Sequence, residues 1–180
     1  MGCTAARRML PESLAHVVQP LAQLRILVLL EATRVTGVAR NVIEYAQLAR
    51  LGTGGVTAAL AFALIRRGTG AWASDVLRDR IAGAMLPIEI LAERHRYDQQ
   101  VVSDLRRLVA EHRPDIIETH HIKSHCLVAL SGVWRHCTWV AFHHGYTQTD
   151  MKVRAYNQVD RWSLRHAAHV VTTNEPFAAA

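Results

Sequence analysis

Six short apolar runs recur along the chain, and a stretch with helical features follows each of the first five. Runs rich in Val, Ile and Leu without a helical period are typical of strands buried on both faces of a parallel sheet. The predicted strands are Leu24–Leu30, Val56–Ile65, Pro87–Leu91, Asp115–His121, Trp139–Phe142 and His169–Thr173. Strands that alternate with helices in this way predict a Rossmann-like, doubly wound α/β domain with a parallel sheet of about six strands.

Capping residues and apolar periodicity place the helices between these strands. The helix that begins at Gly37 is predicted to bury Val38, Val42, Tyr45, Ala46 and Ala49. Asp75, Asp98 and Asp150 are the predicted N-terminal caps of the second, third and fifth helices. The fourth helix is predicted to continue to Trp134, with Leu127, Leu130 and Trp134 on its inner face.

The charge of the chain favours an anionic partner. Lys and Arg number 21 against 15 Asp and Glu among 180 residues, which gives a net charge of +6. A nucleotide, a phosphorylated lipid head group or a membrane surface suits such a protein. Nucleic acid is not predicted, because the basic residues are scattered and aromatic residues make up only 6% of the chain. Three cysteines without CxxC spacing favour reduced thiols and a cytoplasmic location over a disulfide framework.

The amino-terminal residues do not read as a targeting segment. Charged residues and Pro11 interrupt residues 1–23 before an apolar run accumulates, so we interpret them as a loosely ordered leader rather than a secretory signal. No stretch reaches the roughly 18 apolar residues that a membrane-spanning helix needs. We therefore expect a leader over residues 1–23 and a single domain over residues 24–180.

Polar side chains follow three of the predicted strands where each strand ends. They are His120, His121 and Lys123 after the fourth strand, His143, His144 and Tyr146 after the fifth, and Thr173, Asn174 and Glu175 after the sixth. Because the carboxyl ends of parallel strands meet at one edge of the sheet, we expect these groups to form a site. Other histidines, such as His125 and His136, need no functional role.

Metal and nucleophile chemistry find little support in these residues. Adjacent histidines on one strand point to opposite faces and chelate one ion poorly, so no metal is predicted. The sequence has no GxSxG motif for a nucleophilic serine. Gly37, which follows the first strand and begins a helix, could offer its backbone to a phosphate, although a lone glycine is equally an ordinary helix start.

Several segments resemble the amino-terminal domain of the retaining glycosyltransferase family 4, which has the two-domain GT-B architecture. They are Gly37 at the start of the first helix, PDIIETHHIKS at Pro114–Ser124, FHHG at Phe142–Gly145 and VVTTNEPF at Val170–Phe177. The first loop has one glycine where many relatives have two. The chain also ends after the sixth predicted strand, where relatives continue into a carboxyl-terminal domain that binds the nucleotide.

The resemblance implies a role for each candidate residue. His144, with His143 as the next choice, would contact the transferring sugar, and Gly37 would approach the donor diphosphate. His120, Lys123 and Tyr146 would line the side that binds a sugar or lipid-linked acceptor. The donor would be a nucleoside diphosphate sugar, and no cofactor or metal is expected.

Two further functions stay open at this stage. The chain could be an acceptor- or membrane-binding subunit, in peripheral contact with the inner face of a membrane, that needs a separate donor-binding chain. It could also be an unrelated nucleotide-binding α/β domain. If the resemblance holds, we expect the isolated chain to be inactive without a donor-binding domain, and to associate weakly with itself through apolar surface near the sixth strand.

Overall fold

The computed structural model of the chain describes residues 23–31, 34–52, 57–67, 75–95, 98–145 and 151–172. Its strands are β1 (Gln23–Leu30), β2 (Thr57–Arg67), β3 (Ile88–Glu93), β4 (Ile116–Thr119), β5 (Thr138–His143) and β6 (His169–Thr172). Its α-helices are α1 (Gly37–Ala49), α2 (Val76–Gly83), α3 (Gln99–His112), α4 (Ile122–Ser131) and α5 (Met151–Leu164), and a 3₁₀ turn covers Val133–Arg135. Residues outside the described ranges include 1–22 of the predicted leader, Tyr146, Asp150 and residues 173–175. Gln23, predicted as the last residue of the leader, is the first residue of β1.

The strands form one parallel sheet in the order β3-β2-β1-β4-β5-β6. The first three strands therefore run outward from β1 in one direction, and the last three run outward from β4 in the other. This arrangement confirms the predicted doubly wound, Rossmann-like α/β fold. It also places the reversal of strand order between β1 and β4.

Both faces of the sheet are covered by helices. Along β1, Leu27 and Leu29 belong to one buried apolar cluster, and Ile26, Val28 and Leu30 belong to another. Successive side chains of a strand point to opposite faces, so the two clusters lie on the two sides of the sheet. The α3 and α4 helices contribute to the first cluster and the α1 and α2 helices to the second.

The predicted inner faces of two helices need correction. Val42 and Ala46 of α1 are buried as predicted, but Tyr45 is 49% exposed, and Ala39 and Ile43 are buried in its place. Leu130 of α4 is 53% exposed, and the helix ends at Ser131 rather than Trp134. The cause of the earlier end is Gly132, whose φ of +72° is left-handed and stops the helix. Trp134 then lies in the 3₁₀ turn, half-buried against the first cluster.

The fourth strand is shorter than predicted. It ends at Thr119, and His121 is the N-terminal cap residue of α4 rather than a strand residue. Asp75 and Asp98 cap α2 and α3 as predicted, and each carboxylate accepts a hydrogen bond from a backbone N–H of the first turn. Within the described ranges, no helix is long and apolar enough to cross a membrane.

Candidate functional site

The carboxyl ends of β1 and β4 border a natural crevice. These strands are neighbours in the sheet, but α1 leaves β1 toward one face and α4 leaves β4 toward the other. The loops that follow β1 and β4 therefore turn away from each other and leave a crevice between them. Open parallel sheets bind their ligands in such a crevice. Of the candidate residues, Gly37, His120, Lys123, His143 and His144 lie at or after the carboxyl ends of β1, β4 and β5, and so at this edge, as the sequence predicted.

His120 lies at the centre of the candidate site. Its side chain is buried, with the residue only 4% exposed, and its Nε2 lies 2.7 Å from Oε1 of Glu118. The imidazole stacks on the ring of Phe142, with 4.8 Å between centroids, and its centroid is 6.0 Å from that of His144. The structure thus brings together the predicted residues of β4 and β5.

His143 and His144 are adjacent in the chain but differ in surroundings. His143 is buried, with its Nδ1 3.3 Å from Oδ2 of Asp160, whereas His144 is exposed. Although His144 is exposed, partial desolvation by the groups around its ring lowers its pKa, and a charge on the nearby His120 would lower it further. Burial also lowers the pKa of His143, against the opposing effect of Asp160. His144 is therefore the neutral imidazole that a ligand can reach.

His121 holds the start of α4. Its backbone N–H donates to the Ser124 hydroxyl at 3.1 Å, and that hydroxyl donates to the His121 carbonyl at 2.7 Å. Burial, followed by the neighbouring histidines, lowers the pKa of His121 to about 4. The residue is a neutral structural element of the β4–α4 junction at neutral pH.

Lys123 is already engaged by two carboxylates. Its Nζ lies 2.9 Å from Oε1 of Glu31, just after β1, and 2.6 Å from Oε2 of Glu93, at the end of β3. Arg67, at the end of β2, also reaches Glu93, at 2.9 Å. Burial would raise the pKa of Glu93, but the hydrogen bonds from Lys123 and Arg67 hold it below its ordinary value. A ligand anion would have to compete with these carboxylates for Lys123.

Gly37 lies at the first turn of α1, directly after the loop that leaves β1. The Thr36 hydroxyl caps the helix by accepting from the Ala39 N–H at 3.2 Å. Among the described residues, apart from its chain neighbours and the backbone of its own helix, no heavy atom lies within 4 Å of the position that a Cβ on Gly37 would occupy. Open space therefore adjoins the backbone where the sequence placed a donor phosphate.

A buried pair behind the site was missed by the sequence analysis. Asp160 of α5 is fully buried, and its Oδ1 lies 2.6 Å from Nδ1 of the buried His125 of α4. Its other oxygen faces His143, so one carboxylate connects α4, α5 and the end of β5. His125 was set aside as needing no role. Its only sequence signal is a polar residue on the inner stripe of a helix.

The described part of the chain contains no group of three or more His, Cys, Asp or Glu residues arranged to hold a metal ion. Cys126 and Cys137 are free thiols, half-buried, and burial raises the pKa of each. The described groups at the carboxyl edge are imidazoles, backbone N–H groups, and the charged side chains of Lys123 and Arg67 paired with carboxylates. Such groups suit a ligand rich in hydroxyl and phosphate oxygens.

Comparison with solved structures agrees with the fold. The structure of Anabaena Alr3699/HepE in complex with UDP has a TM-score of 0.61 at 16% identity, and covers 82% of this chain and 37% of its own. A putative UDP-N-acetylglucosamine 2-epimerase from Listeria monocytogenes gives 0.60 at 8% identity, over 86% of this chain and 40% of its own. A glycosyltransferase from Rickettsia africae ESF-5 gives 0.52 at 15% identity, over 84% and 42%.

The chain thus spans about two fifths of the length of these solved structures. At such identities the likeness shows the α/β fold of one half of the GT-B architecture. No curated protein matches the sequence. The family model described as a glycosyl transferase 4-like domain matches residues 36–180, which include every candidate residue named above. The chain therefore belongs to the glycosyl transferase 4-like domain family.

Proposed function

We propose that this chain is the acceptor-side domain of a retaining glycosyltransferase, which acts together with a donor-binding domain. The observation that carries the proposal is the exposed, neutral His144 beside the buried His120–Glu118 pair, at the strand ends that border the crevice. Because the chain belongs to the glycosyl transferase 4-like family, we interpret this geometry as a site for sugar transfer. The activity would belong to the two-domain protein.

The donor would be a nucleoside diphosphate sugar. The structurally similar HepE protein has been solved with UDP, with UDP and glucose, and with UDP-glucose, which makes a uridine diphosphate sugar the first donor to try. The diphosphate would lie near the first turn of α1, where Gly37 leaves the backbone uncovered. Backbone N–H groups and the helix dipole favour an anion there.

His144 would act on the transferring sugar. A neutral imidazole can donate one hydrogen bond and accept another, which suits sugar hydroxyls. Transfer with a diphosphate leaving group needs positioning and electrostatic support for an oxocarbenium-like state, and no protein nucleophile. His120 would hold the position of His144 through ring stacking, while Glu118 fixes the orientation of His120.

The acceptor would approach from the side of β4. His120 and Lys123 lie there, and Tyr146 follows His144 by two positions in the sequence. The two carboxylates around Lys123 oppose a second negative charge, so we propose that the acceptor presents a neutral hydroxyl near this lysine. A phosphate on a lipid-linked acceptor would then lie farther from the crevice.

Transfer from UDP-glucose to a panel of sugar and lipid-linked acceptors tests the proposal. The 180-residue chain alone should give no multiple-turnover transfer, and the chain joined to a family 4 donor-binding domain should give a glycoside with the anomeric configuration of the donor. Proton NMR of the anomeric signal reads the configuration. Inverted product, or turnover by the chain alone, would contradict the proposal.

A further inference from the structure

A second cleft, of about 1120 Å³, opens at the opposite, amino-terminal edge of the sheet. It is bordered by Arg25 near the start of β1, Asp115 just before β4 and Thr138 at the start of β5. The end of α3 and the 3₁₀ turn close its sides through Arg113 and Arg135. This cleft is separated from His144 by the length of the strands, so it is not part of the candidate glycosyl-transfer site.

The cleft is strongly basic. Of the described residues, four arginines line it, namely Arg25, Arg106, Arg113 and Arg135, together with one carboxylate, Asp115. Asp115 pairs with Arg25, at 3.1 Å between Nη2 and Oδ1. Among the described residues, no carboxylate lies within ion-pair distance of the other three arginines. By contrast, Arg66, Arg67 and Arg94 each pair with a carboxylate.

Helix ends account for only part of this charge. The carboxyl ends of α3 and α4 lie beside the cleft, and each carries roughly half a negative charge from the helix dipole. Four guanidinium groups against one carboxylate and two such helix ends leave an excess of roughly two positive charges. The positive charge of the cleft arginines is therefore larger than the negative charge of Asp115 and the two helix ends together.

Contacts hold three of the arginines in place. Arg106 donates from Nε to the Ser131 carbonyl at 2.8 Å. The guanidinium carbon of Arg135 lies 4.3 Å from the ring centroid of Trp134, and a Cβ on Gly132 would come within 2.6 Å of its Nη1. Arg25 is fixed by Asp115. Guanidinium groups held in this way lose little entropy when they bind the oxygens of an anion.

We propose that this cleft binds a phosphate-bearing anion at the sheet edge opposite the glycosyl-transfer site. Guanidinium groups match phosphate oxygens in pairs of parallel hydrogen bonds, and three of them here lack a carboxylate partner. The phosphate would come either from a free small molecule or from a lipid head group. In the second case, the cleft would hold the domain at an anionic membrane surface.

Arg113 allows a variant that keeps the fold. It is the C-terminal cap of α3 with a left-handed φ of 44°, a position that glycine adopts without strain. Arg113→Gly, combined with Arg135→Gln, removes two cleft cations. The matched control is Arg80→Gln with Arg154→Gln, which removes the same charge from exposed helix positions outside the cleft.

Two titrations of the 180-residue chain test the proposal and distinguish the two phosphate sources. Isothermal titration calorimetry uses pyrophosphate, and a sedimentation assay uses vesicles of phosphatidylcholine with or without phosphatidic acid. We expect the cleft variant to weaken binding of the active probe by about ten-fold or more, since each charge-assisted hydrogen bond contributes appreciably. The control variant should bind within about two-fold of the unmodified chain, because it loses only long-range attraction that salt screens.

Pyrophosphate binding that the cleft variant weakens and the control keeps identifies a free phosphate ligand of the cleft, and the same result with phosphatidic acid vesicles alone identifies a head group. Pyrophosphate binding that the cleft variant keeps would lie at another place, such as the first turn of α1, and would overturn the proposal. Equal weakening in both variants would mean attraction by net charge and would overturn the proposal, as would failure of the chain to bind either probe. Thermal unfolding confirms that both variants are folded. Neither result depends on glycosyl transfer.

Discussion

At the scale of single residues, the neighbours His143 and His144 differ in role. Successive side chains of a strand point to opposite sides, so the last residue, His143, is buried toward Asp160 while His144 emerges beside His120. Desolvation lowers the pKa of both imidazoles, but only His144 is exposed to a ligand. The glycosyl-transfer proposal therefore rests on His144 far more than on its neighbour.

Replacing this exposed imidazole gives the most direct residue-level test. In the chain joined to a donor-binding domain, His144→Ala should lower kcat on the order of 10²-fold, the effect of removing one well-placed electrostatic group. The fold should persist, because an exposed side chain adds little to the apolar core. Steady-state transfer and thermal unfolding measure the two effects.

His136→Ala is the matched control, since His136 is also exposed but lies at the other edge of the sheet. It should leave turnover near that of the unmodified protein. Near-normal turnover in His144→Ala, or a loss equal to the loss of folded protein, would remove His144 from the mechanism.

At the scale of secondary-structure elements, the strands and most helix caps follow from the sequence because their signals are local. Asp98 and the apolar stripe from Val101 to Val109 predict α3 within a residue at each end. The buried face of α1 was harder to predict, since Tyr45 and Ile43 are both apolar candidates but lie about 200° apart around the helix. Burial of Ile43 was decided by the sheet beneath it rather than by the helix pattern.

For the candidate site, the sequence predicted the positions of residues in the fold but not their long-range partners. The strand-end positions of His120, Lys123 and His144 follow from the alternation of elements. The pairing of His125 with Asp160 does not, because the two residues are 35 positions apart and meet only when α4 packs on α5. The carboxylate partners of Lys123 were equally hidden, since they come from the ends of two other strands.

Asp160 should be the polar residue on which the α4–α5 packing most depends. Asp160→Ala removes the acceptor of buried His125 and leaves a polar nitrogen without its partner, which should lower the free energy of unfolding by about 3 kcal/mol. Asp79→Ala, at an exposed pair with Arg78, should change it by less than about 1 kcal/mol. Urea denaturation measures both, and equal values would contradict the assignment.

At the scale of the whole molecule, apolar side chains are exposed on both β6 and α5. Val170 and Val171 of β6 and Val159 and Trp162 of α5 are all exposed. Within the described ranges β6 is paired on one side only, by β5, so it is an edge strand. Exposed apolar edges favour pairing between chains, which keeps the expected weak self-association as a prediction.

A charge on the edge should suppress this association. Val171→Lys places an ammonium group on β6, where a second chain would have to bury it. Sedimentation velocity should show association in the unmodified chain and a loss of it in the variant. Val76→Lys, a similarly exposed valine on α2, should associate as the unmodified chain does. A monomer at every concentration in the unmodified chain would contradict this view.

The strand order also dictates when each part of the sheet can form as the chain leaves the ribosome. Strand β1 pairs with β2 from Gln23 opposite Thr57, but its other neighbour, β4, begins only at Ile116. One edge of this central strand therefore has no native partner until Ile116 and the residues after it have been synthesised, and long-range parallel pairing is intrinsically slow. Because the crevice lies along this β1–β4 seam, the nascent chain acquires its candidate site only when its two halves join.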